Sequence, residues 1–128
     1  MFKTEKEIGQ TPDKWVILKY VGKDGIILSV FGGWGGGYLH GQSWKRSSAI
    51  KSVTRQDGMF IAETESGSTY NLRVTGIGYT TQTASMATSM REAAGTPGDF
   101  KLEILDELED VTKHLESILR SDGDDIRL

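Results

Sequence analysis

Short apolar runs bounded by glycine limit what the first half of this chain can fold into. Lys14–Val21 reads KWVILKYV and Gly25–Phe31 reads GIILSVF, both rich in β-branched and aromatic residues. Such runs favour strands. Gly22-Lys23-Asp24-Gly25 between them reads as a hairpin loop. Further strands are expected at Gly37–Trp44, Ser48–Arg55, Met59–Glu65 and Ser68–Val74, with turns at Asp57-Gly58 and Ser66-Gly67. In the last of these, Tyr70, Leu72 and Val74 share one face, while Asn71 and Arg73 share the other. The expectation is a β core over residues 14–75, arranged as an antiparallel sheet or small barrel.

From Tyr79 the pattern becomes helical. The run TTQTASMATSMREAAG suggests a helix over about 80–94, closed by Gly95. A second helix over about 97–120 is expected from Thr96 as N-cap, Pro97 at the first position and Asp99 completing a capping box. The tail 121–128 is expected to fray. Ile104, Leu108, Val111, Leu115 and Ile118 follow spacings of 4, 3, 4 and 3, a coiled-coil-like seam. That seam covers the protein's own sheet, packs on the first helix, or meets a symmetry mate. The first helix offers small Ala84, Ala87 and Ala94 and adaptable Met86 and Met90. Two such helices make a thin layer with apolar surface to spare, so these five positions are expected to form a homo-oligomer interface. The fold class is α+β, a single domain over 1–128 with two C-terminal helices.

Length and charge narrow the function classes. A chain of 128 residues can bury one core. It has no cysteine, which excludes a disulfide framework and a thiolate metal site. No apolar run approaches a membrane span, and the N-terminus is charged where a secretory signal is apolar. A cytoplasmic protein is expected. The net charge of -3 is unevenly spread. Residues 1–75 hold ten Lys/Arg against seven Asp/Glu, and residues 76–128 five against eleven. The first part can attract an anion, and the second would repel one.

The motifs favour binding over catalysis. The two histidines, His40 and His114, lie on different elements, and no H-x-x-x-H or H-E-x-x-H pattern is present. There is no G-x-S-x-G and no thiol nucleophile. No catalytic residue, metal site or cofactor is assigned. GGWGGG lacks the G-K-[ST] ending of a P-loop and does not match G-x-G-x-x-G. What the segment Ser29–Ser48 does carry is aromatic rings among glycines, followed by cations and no acidic residue from His40 to Gln56. Rings stack on flat groups such as nucleobases, and arginine with hydroxyls holds phosphate. Trp34, Tyr38 and Trp44 are therefore candidate stacking residues, with Lys45, Arg46, Ser47 and Arg73 as anion-binding partners. Trp34, flanked by glycines, is expected to lie outside the core, whereas Trp44 sits where a strand pattern resumes. The expected partner is a small phosphorylated, nucleotide-derived ligand, and nucleic acid is a weaker fit to the acidic total. The alternative is a structural or protein-interaction module in which the same rings anchor an interface.

The runs SWKRSSAIKSV and FIAETESGSTYNL resemble a pattern in small phage and prophage proteins. There a W-x-x-S-S-x-I strand, here Trp44–Ile50, precedes a T-x-S-G-S-x-Y-x-L hairpin, here Thr64–Leu72. The order of a β core and then two helices is also similar to phage anti-defence proteins of the Thoeris anti-defence type. That resemblance implies an oligomer that sequesters a cyclic nucleotide-derived signal without cleaving it. It carries over no ligand-binding residue.

Overall fold

The computed structural model describes residues 9–35, 43–94 and 101–127. Six strands pair in one antiparallel sheet: β1 (Lys14–Gly22), β2 (Gly25–Trp34), β3 (Ser43–Gln56), β4 (Met59–Thr64), β5 (Thr69–Arg73) and β6 (Lys101–Leu105). Their order is β5-β4-β3-β2-β1-β6. Two helices follow the first five strands, α1 (Thr81–Ala94) and α2 (Leu108–Arg127). The α+β class read from the sequence is the observed one, with an open sheet rather than a closed barrel. No helix among the described residues is long and apolar enough to cross a membrane.

The sheet is strongly curled. In a flat sheet β1 and β5, four positions apart, would lie roughly 19 Å from each other. Here the Trp15 indole on β1 donates to the Arg73 carbonyl at the end of β5, at 2.8 Å. Gln10, just ahead of β1, bridges to Tyr70 of β5, and Trp15 bridges to Ile77. These contacts create an inner face lined by Trp15, Ile17, Leu28, Val30, Val53, Phe60, Tyr70 and Leu72. Helix α2 packs there, with Val111 and Leu115 at 0% exposure and Ile118 partly covered. Arg55 pins it from β3, lying 5.2 Å over the Phe60 ring and bonding Glu116 at 2.9 Å. The outer face is smaller. Val16, Leu18 and Phe31 are buried there beneath Met86 and Met90 of α1, with Leu102 and Ile104 of β6 alongside.

Helix α1 begins with a reciprocal cap. The Thr83 N–H donates to Thr80 Oγ1 at 3.1 Å, and the Thr80 N–H donates to Thr83 Oγ1 at 2.8 Å. That turn sits directly on Gly33. A Cβ there would lie 2.9 Å from Thr80 Cγ2 and from Thr83 Cγ2, so the glycine is what lets the helix approach the strand. The first part of the glycine-aromatic stretch is thus packed strand.

The second helix differs from its expected span. Lys101–Leu105 pairs with β1 as a strand, and the helix starts at Leu108 and runs to Arg127, through the tail expected to fray. The unpaired edge of β1 is the reason: main-chain bonds along it outweigh the helical propensity of KLEIL, which tertiary pairing overrides. Glu109 and Asp110 then occupy the first turn of α2, where the helix dipole favours acid. The proposed caps Gly95, Thr96, Pro97 and Asp99 lie outside the described residues. So does most of the strand expected at 37–44. The strand expected at Ser48–Arg55 is part of a longer β3 that begins at Ser43.

The apolar seam is also reassigned. Ile104 lies on β6 under α1, while Val111 and Leu115 fill the protein's own inner core. Ile118 packs against that same core, and only Leu108, 51% exposed, is left outward. Val111 and Leu115 are thereby spent on the protein's own core.

Candidate functional site

The pleat of β3 sorts the predicted ligand-binding residues onto opposite sides of the sheet. Trp44 lies across from Gly33 and Arg46 from Phe31, on the outer face. Lys45 lies across from Gly32, on the inner face. There its ammonium donates to Gln10 Oε1 at 2.8 Å. Trp34 is inner as well. It packs against the core and donates its indole N–H to the Thr11 carbonyl at 3.0 Å. The expectation that Trp34 lies outside the core is therefore corrected. Its neighbouring glycines do not free the ring, because β2 continues through Trp34 and carries it inward.

Two further candidates have structural work. Ser47 sits at the irregularity in the β2–β3 ladder, where its hydroxyl accepts from the Val30 N–H at 2.8 Å and donates to the Ser48 carbonyl at 2.7 Å. It holds a bulge that would otherwise leave a buried strand N–H unpaired. Arg73 is exposed on β5, two strands away from β3, so it does not join Arg46. Tyr38 lies outside the described residues.

What remains together is Trp44 and Arg46. Trp44 is 43% exposed, and its inner edge meets the buried Phe31 ring at 5.9 Å between centroids and 66° between planes. That contact fixes the indole while leaving part of it open to solvent. The Arg46 guanidinium is exposed and donates from Nη1 to the Tyr20 hydroxyl oxygen at 3.4 Å. Among the described residues no carboxylate forms an ion pair with Arg46. Tyr20 lies across from Ile27, itself 52% exposed, on the same outer face. The i,i+2 spacing of Trp44 and Arg46 is legible in the sequence. The approach of Tyr20 from β1, two strands away, has no local signal.

A second polar cluster lies at the margin of the outer face. The Tyr79 hydroxyl donates to Asp106 Oδ2 at 2.5 Å, and Arg91 Nη2 reaches Tyr79 Oη at 2.7 Å and Asp106 Oδ2 at 2.8 Å. Burial, followed by the hydrogen bond to Asp106, pushes the Tyr79 phenol up to about 12. The three groups satisfy one another and tie α1 to the end of β6. This is a structural clamp.

No family model, curated protein or solved structure matches the chain. The site is therefore read from its own geometry. Among the described residues no group of three His, Cys, Asp or Glu is placed to hold a metal ion. His114 uses Nδ1 on the Asp110 carbonyl at 2.8 Å, one turn back on α2. The resembling hairpin residues Thr64, Tyr70 and Leu72 are all buried, so that pattern encodes packing. Two hollows are open near the β1–β2 turn. One of about 400 Å³ is bounded by Tyr20 and residues 22–27, and one of about 410 Å³ lies between β2, β3 and α2, with Glu65 and His114 on its walls.

Proposed function

We propose that this chain is a non-catalytic binding protein that captures a small phosphorylated, nucleotide-derived ligand on the outer face of its sheet. The observation that carries the reading is the pair formed by Trp44 and Arg46. A fixed, part-exposed indole stands beside an exposed guanidinium with no acidic partner among the described residues. Indole offers a stacking plane to any base, and guanidinium offers a fork of donors to phosphate. Sequestration without cleavage is how the phage anti-defence proteins it resembles act, and the same mode is proposed here. The reading does not depend on self-association.

The test is calorimetric titration with the four ribonucleoside 5′-monophosphates, followed by recovery of the ligand after heat denaturation. Trp44→Ala is expected to weaken binding by roughly five- to a hundred-fold. Arg46→Ala is expected to weaken it more at low than at high ionic strength. The recovered nucleotide is expected intact. Absence of binding by the wild type at millimolar ligand refutes the reading, and turnover moves it to an enzyme.

A protein-interaction module, such as a virion component or an inhibitor of a host protein, is the second reading. It is favoured by Ile27, 52% exposed on the same outer face as Tyr20. Trp44, Tyr20 and Arg46 beside it are the residue types that dominate protein interfaces.

A further inference from the structure

The ligand's size and polarity can be read from the same face. This inference rests on the proposed nucleotide capture. Trp44 and Arg46 stand two residues apart on one side of β3, so their side chains leave the sheet about 7 Å from each other. That gap is the span of one sugar, the group that separates a nucleobase from its 5′-phosphate. The neighbouring cation Lys45 faces the other side and is occupied by Gln10, so the phosphate end of this site has a single guanidinium. Its direction is set from β1. The Tyr20 hydroxyl meets Arg46 Nη1 at 3.4 Å, on the side away from Trp44, because Tyr20 pairs with Ile27 while Trp44 pairs with Gly33.

We infer that the outer face binds one nucleotide unit carrying one phosphate, with the base on Trp44 and the phosphate on Arg46, and that Tyr20 is the positioning residue for that arginine. Arg46 keeps its remaining donors for the phosphate while Tyr20 restrains the side chain. A planar fork held in place loses less freedom on binding than a mobile one. Removing the Tyr20 hydroxyl should therefore act on the phosphate and not on the base.

The experiment compares each 5′-monophosphate with its nucleoside by calorimetry in wild type, Tyr20→Phe and Arg46→Lys, with thermal melts of all three. In the wild type the monophosphate is expected to bind about ten-fold tighter than the nucleoside, or better. Both variants should reduce that ratio, Tyr20→Phe to within about three-fold of unity. Arg46→Lys retains the charge but loses the fork, and its exposed position keeps the comparison valid if Tyr20→Phe melts early. A wild-type ratio near one overturns the inference while leaving base stacking intact. A ratio that neither variant lowers overturns the role of Tyr20 and Arg46. A 5′-triphosphate or dinucleotide that binds ten-fold tighter than the monophosphate overturns the single-unit size. Failure of both nucleoside and nucleotide to bind the wild type overturns the underlying reading as well.

Discussion

Leu115→Ala separates a helix that completes the monomer from one that joins two copies. Leu115 has no solvent exposure and packs with Val111 against the inner face formed by β1 to β5. Truncation to alanine removes three carbons from a closed core and leaves a cavity, which costs about 3 kcal/mol. In a domain of this size that corresponds to a fall in melting temperature of roughly 10 °C. Leu108 is the internal control. It sits on the same helix at 51% exposure, so Leu108→Ala should change stability by no more than about 0.5 kcal/mol. The assay is urea denaturation followed by circular dichroism at two protein concentrations ten-fold apart, with light scattering on the same samples. An intramolecular core makes the loss independent of concentration, whereas a dimer interface shifts stability by about 1.4 kcal/mol per ten-fold dilution. Equal stability of the two variants would refute the placement of α2. So would a concentration-dependent loss with a fall in mass.

The two tryptophans on either side of the β2–β3 connection should behave oppositely. Trp34→Ala loses its core contact and its bond to Thr11, and should destabilise the fold by about 2 kcal/mol without altering the nucleoside-to-nucleotide ratio. Trp44→Ala loses the edge-to-face contact with Phe31 and should cost less, about 1 kcal/mol, and differential scanning fluorimetry on both variants checks the order. Tyr79→Phe tests the clamp through pH. The folded phenol is raised to about 12, above its ordinary value of 10, so its contribution is fully present below pH 10 and is lost as pH rises towards 12. Melting temperatures of wild type and Tyr79→Phe should therefore converge across that window, and a constant difference from pH 8 to 12 would rule the clamp out.

Local sequence determined most of the strands and the tight turns between them. Period-two alternation in Thr69–Arg73 put Tyr70 and Leu72 inside, and the Asp57-Gly58 and Ser66-Gly67 turns closed the β3–β4 and β4–β5 hairpins. These depend on neighbours a few residues apart, where backbone preference and side-chain alternation are legible. The split of Trp44 and Arg46 from Lys45 needs the unbroken strand Ser43–Gln56, where the local pattern ends one strand at Trp44 and begins the next at Ser48.

Tertiary structure decided the rest. KLEIL satisfies a helical spacing with Leu108 and Val111 as well as it satisfies a strand, and the free edge of β1 chose the strand. Trp34 between glycines has the local look of an exposed ring, yet the ladder carries it inward against the core. The seam on α2 has one apolar stripe and three possible partners, and the curl of the sheet from β1 to β5 supplied the first of them. Tyr20 reaches Arg46 only because β1, β2 and β3 pair in register. Each of these outcomes rests on contacts between residues far apart in the chain. Their free energy appears only once the sheet has assembled, so no window of local sequence contains it.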